Sequence, residues 1–184
     1  MQRPISHLWF RLMALEYRMR SRPTEVSARL EEAGVRAGMT VLDYGCGPGR
    51  YSIPAARLVG NRGTVHAVDV HPLALRITGK LARAAGLSNL RFTLTDGPTG
   101  VPSKSVDIVL LYDALHDVED KPAALAEIRR VLKPGGALSY RDHTLDGAAL
   151  AELMREASSR PGEETSPAVT AWRTGGCPLQ AHQT

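Results

Sequence analysis

The stretch VLDYGCGPGR, residues 41–50, decides the fold of this chain. Its glycines, Gly45, Gly47 and Gly49, occupy every second position directly after a short apolar run that ends in the acid Asp43. Glycine allows a tight backbone turn and lets a ligand approach the main chain without a Cβ atom in the way. The stretch therefore predicts a strand followed by a turn, which is either a ligand-binding loop or a glycine-rich turn without a ligand.

Strand-like and helical segments alternate along the chain from residue 40 onward. The strand-like runs are residues 40–44, 64–70, 90–95, 105–112 and 136–142, and the helical stretches are residues 51–59, 73–85, 121–132 and 147–158. Such alternation is typical of βαβ units, in which helices connect parallel strands. It predicts the α/β class, with a Rossmann-like, doubly wound, mainly parallel sheet that carries helices on both faces.

The chain divides into three predicted segments. Residues 1–23 combine an apolar stripe at spacings of three and four with several arginines, which predicts a basic amphipathic helix that acts as a lid or a packing arm. Residues 24–158 form the predicted globular domain. Residues 159–184 are rich in proline, glycine, serine and threonine and are expected to be irregular and disordered, except for a strand-like piece at residues 168–172.

The formal net charge of +4 arises at the N-terminus, because residues 1–22 hold five arginines against one glutamate. The rest of the chain sums to zero, which argues against a basic nucleic-acid-binding surface. No apolar run reaches the about 18 residues of a membrane-spanning helix, so a cytoplasmic protein is expected, with peripheral membrane contact through the N-terminal helix as an open alternative. The two cysteines, Cys46 and Cys177, predict neither a disulfide framework nor a metal cluster.

Two more acids follow predicted strands at the same edge of the sheet. Asp69 ends the second strand, where a carboxylate can accept hydrogen bonds from a ribose diol, and Asp96 with Gly97 closes the third. The glycine pattern is G-x-G-x-G, with Arg50 where a dinucleotide-binding loop needs its third glycine. Because Asp43 would oppose a pyrophosphate but suits a cation, a sulfonium nucleoside is favoured, and an NAD-dependent oxidoreductase is the less favoured alternative.

These stretches resemble the motifs of class I S-adenosylmethionine-dependent methyltransferases, in the branch of ubiquinone and menaquinone biosynthesis and other small-molecule enzymes. VLDYGCGPG resembles the first signature, VHAVDVHPLAL the second, LTDG the adenine-side acid, and SVDIVLLYDALHDVEDKPAALAEIRRVLKPGGAL the fourth strand and the segment after it. The resemblance implies that residues 24–158 form an S-adenosylmethionine-binding methyltransferase domain. It also implies a C-terminal antiparallel hairpin, for which residues 159–184 lack the pattern. We therefore expect the hairpin to be reduced or missing, with an exposed edge on the fifth strand that favours a homodimer.

The resemblance assigns expected roles to individual residues. The glycine loop is expected to hold the methionine end of S-adenosylmethionine, and the acids are expected to bind its amino group, ribose and adenine in the order in which they follow along the chain. Gly97 leaves room for the adenine ring, and Tyr112 and Asp113 line the methionine and methyl side. The predicted cofactor-binding set is Asp43, Gly45, Gly47, Gly49, Asp69, Asp96, Gly97 and Asp113.

The stretch LYDALHD, residues 111–117, lies where the methyl acceptor is expected to bind. His116 is a candidate general base and Tyr112 a candidate for orienting the acceptor, although either can serve a structural role. Asp142 and His143, at the end of the fifth strand, are expected to face the same crevice. The Asn-Pro-Pro-Tyr tetrapeptide of DNA amino-group methyltransferases is absent here, so the acceptor is expected to be a small molecule. The alternative is a cofactor-binding protein without activity that acts through partners.

Overall fold

The computed structural model describes residues 23–158 and 172–174. The helices are α1 (Pro23–Glu32), α2 (Ser52–Val59), α3 (Pro72–Ala84), α4 (Lys121–Val131) and α5 (Gly147–Ser158), with a 3-10 turn at Leu115–Asp117. The strands are β1 (Thr40–Tyr44), β2 (Thr64–Asp69), β3 (Leu90–Leu94), β4 (Val106–Tyr112), β5 (Leu132–Arg141) and β6 (Trp172–Thr174). The helix predicted within residues 1–23 lies outside the described residues, except for the final proline, with which α1 begins.

The six strands form one parallel sheet in the order β3-β2-β1-β4-β5-β6. The chain builds outward from β1 to β3, crosses to the other side of β1, and then continues outward from β4 to β6. The strand order therefore reverses between β1 and β4, and doubly wound folds bind their ligands at the carboxyl ends of the strands at this point. This topology confirms the predicted Rossmann-like α/β fold.

β5 is longer than the sequence predicted, because it begins at Leu132, directly after α4, and not at residue 136. Its register against β4 shifts between the pair Val106–Leu132 and the pair Ile108–Ala137. Within this irregular part the backbone φ of Gly135 is +79°, a left-handed conformation that favours glycine. The Lys-Pro-Gly-Gly segment thus forms a bulged start of the strand and not a separate turn.

β6 changes the expected edge of the sheet. It pairs in parallel with Leu138–Tyr140 of β5, so the expectation of an exposed fifth-strand edge is wrong over these three residues. β6 begins at Trp172, the last residue of the expected strand-like piece, and residues 168–171 lie outside the described part of the chain. Every strand pair in the described ranges is parallel, and an antiparallel hairpin is not among them.

Both faces of the sheet are covered, because the apolar side chains of β1 and β4 alternate between two clusters. Leu42 and Val109 pack with α4 and α5 on one face, whereas Val41 and Ile108 pack with α1 and α2 on the other. Burial of one such side chain stabilises the fold by about 1.5–3 kcal/mol, so these strands are firmly held. The loops at their carboxyl ends therefore have fixed starting points.

None of the described helices combines the length and the apolar character needed to cross a membrane.

Candidate functional site

The loop between β1 and α2 uses its three glycines in different ways. All three have positive φ angles, +79° at Gly45, +52° at Gly47 and +84° at Gly49, which other residues rarely adopt. A Cβ on Gly45 would collide with Ala114, and one on Gly49 would lie 2.8 Å from Cγ2 of Thr78. A Cβ on Gly47 would meet nothing within 4 Å. Gly45 and Gly49 therefore allow close packing of the loop, whereas Gly47 borders open space.

Asp69, the last residue of β2, is tied to the glycine loop. Its Oδ2 accepts a hydrogen bond from the Gly47 amide at 2.8 Å, and its Oδ1 accepts one from the His71 amide at 2.7 Å. Burial raises the pKa of Asp69, and these two backbone hydrogen bonds oppose the rise. A carboxylate oxygen has two lone pairs, so the acid can still accept hydrogen bonds from a diol.

Asp43 lies beneath the glycine loop and is 2% exposed. Its Oδ2 accepts a 2.5 Å hydrogen bond from the hydroxyl of Ser52, the first residue of α2. Burial raises the pKa of Asp43 to about 7, the Ser52 hydrogen bond opposes the rise, and the charge of Asp69 adds to it. Two acids close to one loop favour a cationic ligand there.

Ser52 is a part of this site that the sequence analysis missed. It is fully buried, and its partner Asp43 lies on the preceding strand. Its one sequence signal is a small polar residue at the start of the helix that follows the glycine loop. That signal does not distinguish a serine directed at Asp43 from an ordinary helix-capping serine.

Asp96 and Gly97 lie just beyond the carboxyl end of β3, as the sequence predicted. Asp96 is exposed, and its charge helps to raise the pKa of Tyr44, after the larger contributions of burial and of Glu127. The Gly97 amide donates a 3.0 Å hydrogen bond to Oγ1 of Thr95. The two residues thus border the carboxyl edge of the sheet on the side of Asp69 that is away from β4.

Tyr112 ends β4, and its side chain packs on the face of the sheet that α1 and α2 cover. Its ring centroid lies 4.5 Å from that of Tyr51, and its hydroxyl shares a 2.6 Å hydrogen bond with Oγ of Ser139. Burial raises the pKa of Tyr112 to about 12, so its hydroxyl keeps its proton at neutral pH. This arrangement is that of a packing residue, and its role in orienting an acceptor stays a prediction.

Asp113, the first residue after β4, has an unusual backbone conformation. Its φ is +49°, and its amide donates a 2.7 Å hydrogen bond to the carbonyl oxygen of Arg141 at the end of β5. A residue other than glycine in this region costs on the order of 1–3 kcal/mol and persists where its surroundings determine it. The strain therefore marks the junction of β4 and β5 as a candidate functional position. The predicted contact of Asp113 with a cofactor stays a prediction.

His116 lies in the 3-10 turn after β4 and contacts Asp142, which follows β5. Its Nδ1 lies 3.0 Å from Oδ2 of Asp142, and its amide donates a 3.2 Å hydrogen bond to the same oxygen. The ring of His143 meets the His116 ring edge-on, with 4.5 Å between the centroids. Nδ1 of His143 in turn lies 3.3 Å from Oδ1 of Asp113. The fold thus brings together four residues that the sequence places in two separate segments.

Known proteins share the sequence and the fold of this chain. A family described as a methyltransferase domain matches residues 36–176. The chain is 36% identical over 111 residues to the ubiquinone/menaquinone biosynthesis C-methyltransferase UbiE of Marinomonas sp., an alignment that covers 59% of this chain and 44% of that protein. It is 36% identical over 104 residues to the aklanonic acid methyltransferase DauC of Streptomyces sp., covering 56% of this chain and 47% of that protein. The chain therefore spans about half the length of these curated relatives.

A solved structure shows the same fold. The SAM dependent methyltransferase from Aquifex aeolicus superposes with a TM-score of 0.64 at 23% sequence identity, covering 78% of this chain and 87% of that chain. The family match extends from the residues before β1 through β6 and so includes the glycine loop, Asp69 and the ends of β4 and β5. From the matched family, the motifs and the shared fold, we conclude that this chain belongs to the methyltransferase domain family, within the class I S-adenosylmethionine-dependent superfamily.

Proposed function

We propose that this protein transfers a methyl group from S-adenosylmethionine to a small-molecule acceptor. The observation that supports this most strongly is the open space beside Gly47, whose amide bonds to Asp69, at the point where the strand order reverses. The buried Asp43 is close enough to Asp69 for the charge of Asp69 to act on it. S-adenosylmethionine is the cofactor of the superfamily to which the chain belongs. When bound, it supplies a methyl group on a sulfonium that is already an activated leaving group.

The chemistry of the site fits this cofactor. An ammonium and a sulfonium carry positive charge, and Asp43 and Asp69 are the two acids next to the loop that would face such charge or a ribose hydroxyl. In this proposal the backbone of Gly45, Gly47 and Gly49 holds the methionine end. Asp43 attracts the amino group, and Asp69 accepts hydrogen bonds from the ribose.

The remaining predicted contacts complete the proposed cofactor site. Asp96 and Gly97, beyond β3, take the adenine side, and Asp113, beyond β4, takes the methyl side. The strand order β3-β2-β1-β4 puts Asp96 and Asp113 on opposite sides of β1, which supports their assignment to opposite ends of the cofactor. The main task of the protein is then to align an acceptor with the methyl carbon, and alignment of this kind can supply roughly 7–11 kcal/mol of rate enhancement.

An NAD-dependent reaction is less compatible with the same observations. A dinucleotide places a pyrophosphate against the glycine loop, where it would approach the carboxylates of Asp43 and Asp69. Arg50 also stands where the dinucleotide pattern requires its third glycine. The oxidoreductase alternative therefore serves as the contrast in the test of this proposal.

Calorimetric titration with S-adenosylmethionine, S-adenosylhomocysteine and NAD tests the cofactor. We expect the first two to bind and NAD not to bind. Loss of the charge-assisted hydrogen bonds in Asp69→Asn, each worth about 1.5–3 kcal/mol, should weaken binding at least about tenfold. The matched control is Asp107→Asn, because Asp107 lies at the opposite, amino end of β4 and bonds to Thr40 and Lys133. Equal affinities of Asp69→Asn and the wild type would contradict the ribose assignment.

The second candidate function is cofactor binding without methyl transfer. It is supported by one observation: the strand pairs in the described ranges are all parallel and do not include the antiparallel hairpin that the family resemblance implies. DauC is named for aklanonic acid and UbiE for ubiquinone/menaquinone biosynthesis, and what those names state belongs to those proteins. A transfer assay with quinols, phenols, amines and tRNA separates the two candidates, since a binding protein would retain affinity for the cofactor and methylate none of them.

Three further expectations about surroundings and partners accompany the proposal. A cytoplasmic location stays a prediction, and so does peripheral membrane contact through residues 1–22, which lie outside the described part of the chain. A homodimer also stays a prediction. The exposed edge of β5, which favoured a homodimer, is shorter than expected because β6 covers Leu138–Tyr140 of β5.

A further inference from the structure

Four side chains after β4 and β5 form two linked histidine–carboxylate pairs. One pair is His116 with Asp142, at 3.0 Å between Nδ1 and Oδ2, and the other is His143 with Asp113, at 3.3 Å between Nδ1 and Oδ1. The two imidazole rings lie edge to face at 4.5 Å.

The carboxylate of Asp142 is saturated with hydrogen-bond donors. Oδ2 accepts from the amide and from Nδ1 of His116, while Oδ1 accepts from the amide and hydroxyl of Thr144, at 2.9 and 2.8 Å, and from the amide of Leu145, at 3.2 Å. Burial opposes its ionisation, but the hydrogen bonds outweigh burial and hold the pKa of Asp142 well below the ordinary range. Asp142 is therefore a fixed negative charge with its lone pairs committed.

This saturated carboxylate determines the state of His116. Because Asp142 is ionised and can only accept, Nδ1 of His116 carries the hydrogen, and in the neutral ring Nε2 is an acceptor. Nε2 lies 3.5 Å from Oδ2 of Asp117, whose side chain is 81% exposed. The negative charges of Asp142 and Asp117 both stabilise the imidazolium that forms when Nε2 of His116 takes up a proton. Asp113, which contacts the neighbouring His143, does so at longer range.

The same saturation argues against a bound metal ion. His116, Asp142 and His143 offer ligand atoms within 4.8 Å of one another. A cation at this place would have to displace donors that Asp142 already binds and would separate it from Nδ1 of His116. The hydrogen-bonded pair is therefore the better account of the cluster.

The pair also lies beside the proposed methyl site. Ala114, two residues before His116, is packed so closely on Gly45 that a Cβ there would collide with it. The strained residue Asp113 and the hydrogen bond from its amide to Arg141 hold the ends of β4 and β5 together at this point. Nε2 of His116 is thus carried on a turn that contacts the cofactor loop.

We propose that Nε2 of His116 is the general base of the reaction and that the acceptor is an acidic hydroxyl compound, namely a phenol, a hydroquinone or an enol. This inference rests on the proposed function. The O–H bond of the acceptor breaks, its proton moves to Nε2 of His116, and its electron pair stays on oxygen. That oxygen, or the carbon conjugated to it, forms a bond to the methyl carbon. The bond between the methyl carbon and sulfur breaks, and its electron pair stays on the sulfur of the thioether that leaves. The proton then leaves His116 for solvent. Asp142 and His143 are positioning residues.

Binding of 4-nitrophenol tests this step without methyl transfer. The full chain, saturated with S-adenosylhomocysteine, is titrated at pH 6 with 4-nitrophenol, whose phenolate has its own visible absorption band, and with 4-nitroanisole, its methyl ether. We expect a larger phenolate fraction on the protein than in buffer, and binding of the phenol at least about tenfold tighter than that of the ether, because only the phenol can give its proton to Nε2 and form a charge-assisted hydrogen bond there.

Three single variants test whether His116 and Asp142 have the proposed roles. His116→Asn keeps an N–H donor for Asp142 near the position of Nδ1 and removes Nε2, so it should lose both the phenolate band and the preference for the phenol while still binding S-adenosylhomocysteine. His66→Asn, at a half-buried histidine on β2, should behave as the wild type. In Asp142→Asn the phenolate fraction should fall while the affinity for S-adenosylhomocysteine is kept, because Nδ1 of His116 loses the acceptor that orients the ring.

The outcomes separate this inference from the proposed function. A wild-type protein that does not bind S-adenosylhomocysteine would overturn the proposed function. Binding of S-adenosylhomocysteine with no preference for the phenolate, or with equal preference in wild type and His116→Asn, would overturn the base alone. Phenol binding or methyl transfer that EDTA abolishes and a divalent cation restores would assign the two histidines to a metal and overturn it too.

Discussion

The carboxylate of Asp69 accepts a 2.8 Å hydrogen bond from the amide of Gly47. This bond joins the end of β2 to the glycine loop that follows β1, so the acid that is proposed to bind ribose also holds the loop that is proposed to bind the methionine end. The conformation of the loop and the position of the acid therefore depend on one another.

Substitution of Gly47 should separate binding from folding. Gly47→Ala keeps the amide that Asp69 binds, but it places a methyl group into the open space and a non-glycine residue at a φ of +52°. We expect a stability loss of about 1–2 kcal/mol from the left-handed conformation. Calorimetry should also show at least a tenfold loss of affinity for S-adenosylhomocysteine. A variant with unchanged affinity would mean that the space beside Gly47 does not hold the ligand.

Substitution of Gly45 should instead affect the fold. In Gly45→Ala the new methyl group collides with the Cβ of Ala114, so urea denaturation should show a larger stability loss than in Gly47→Ala. The double variant Gly45→Ala with Ala114→Gly removes the collision and should recover part of that loss. The strain from the φ of +79° should remain in both. Additive effects of the two substitutions would contradict the contact.

The stability of the protein should depend on pH through Asp43. Its pKa rises from 3.8 to about 7 in the folded state, so the folded protein binds more protons than the unfolded one in this window, and the free energy of unfolding falls as the pH rises. The slope can reach about 1.4 kcal/mol per pH unit. Asp43→Asn should flatten this dependence and raise stability near neutral pH relative to the wild type. Urea unfolding at pH 4.5 and 7.5 measures the change in the free energy of unfolding. An equal change in the wild type and in Asp43→Asn would contradict the prediction.

Binding of S-adenosylmethionine should release a proton from Asp43 near neutral pH. A cationic ligand favours the ionised carboxylate and lowers a pKa that stands at about 7 in the free protein. Calorimetric binding enthalpies at pH 7 should therefore vary with the ionisation enthalpy of the buffer. In Asp43→Asn this variation should shrink. Identical enthalpies in all buffers for the wild type would show that Asp43 does not sense the ligand.

Tyr112 and Ser139 should behave as a buried structural pair. Loss of the 2.6 Å hydrogen bond in Tyr112→Phe or in Ser139→Ala should cost about 0.5–1.5 kcal/mol of stability, and the double variant should cost less than the sum. Methyl transfer by Tyr112→Phe should stay within a few fold of the wild type, because the hydroxyl is already engaged in the core. A fall of a hundredfold or more in kcat, with stability retained, would restore the role in orienting the acceptor.

The sequence alone was sufficient for the fold class and for placing three acids at one edge of the sheet. Alternating strand and helix patterns place Asp43, Asp69 and Asp96 after three successive strands, and parallel strands bring their carboxyl ends to one edge whatever the details of packing. The glycine spacing after β1 indicates where the backbone must turn. These features are local, since each depends on residues within one strand–turn–helix unit, and local patterns are what a sequence shows directly.

The tertiary structure decided everything that depends on two distant segments meeting. Ser52 turns toward Asp43, Tyr112 faces Ser139 in the core, β6 covers three residues of β5, and His116 meets Asp142 across 26 positions of sequence. No periodicity or composition records such meetings, because they arise from the register of β4 against β5 and from the loops at their ends. The physical reason is that a hydrogen bond needs two atoms within about 3 Å, and only the packed fold sets that distance between remote parts of a chain.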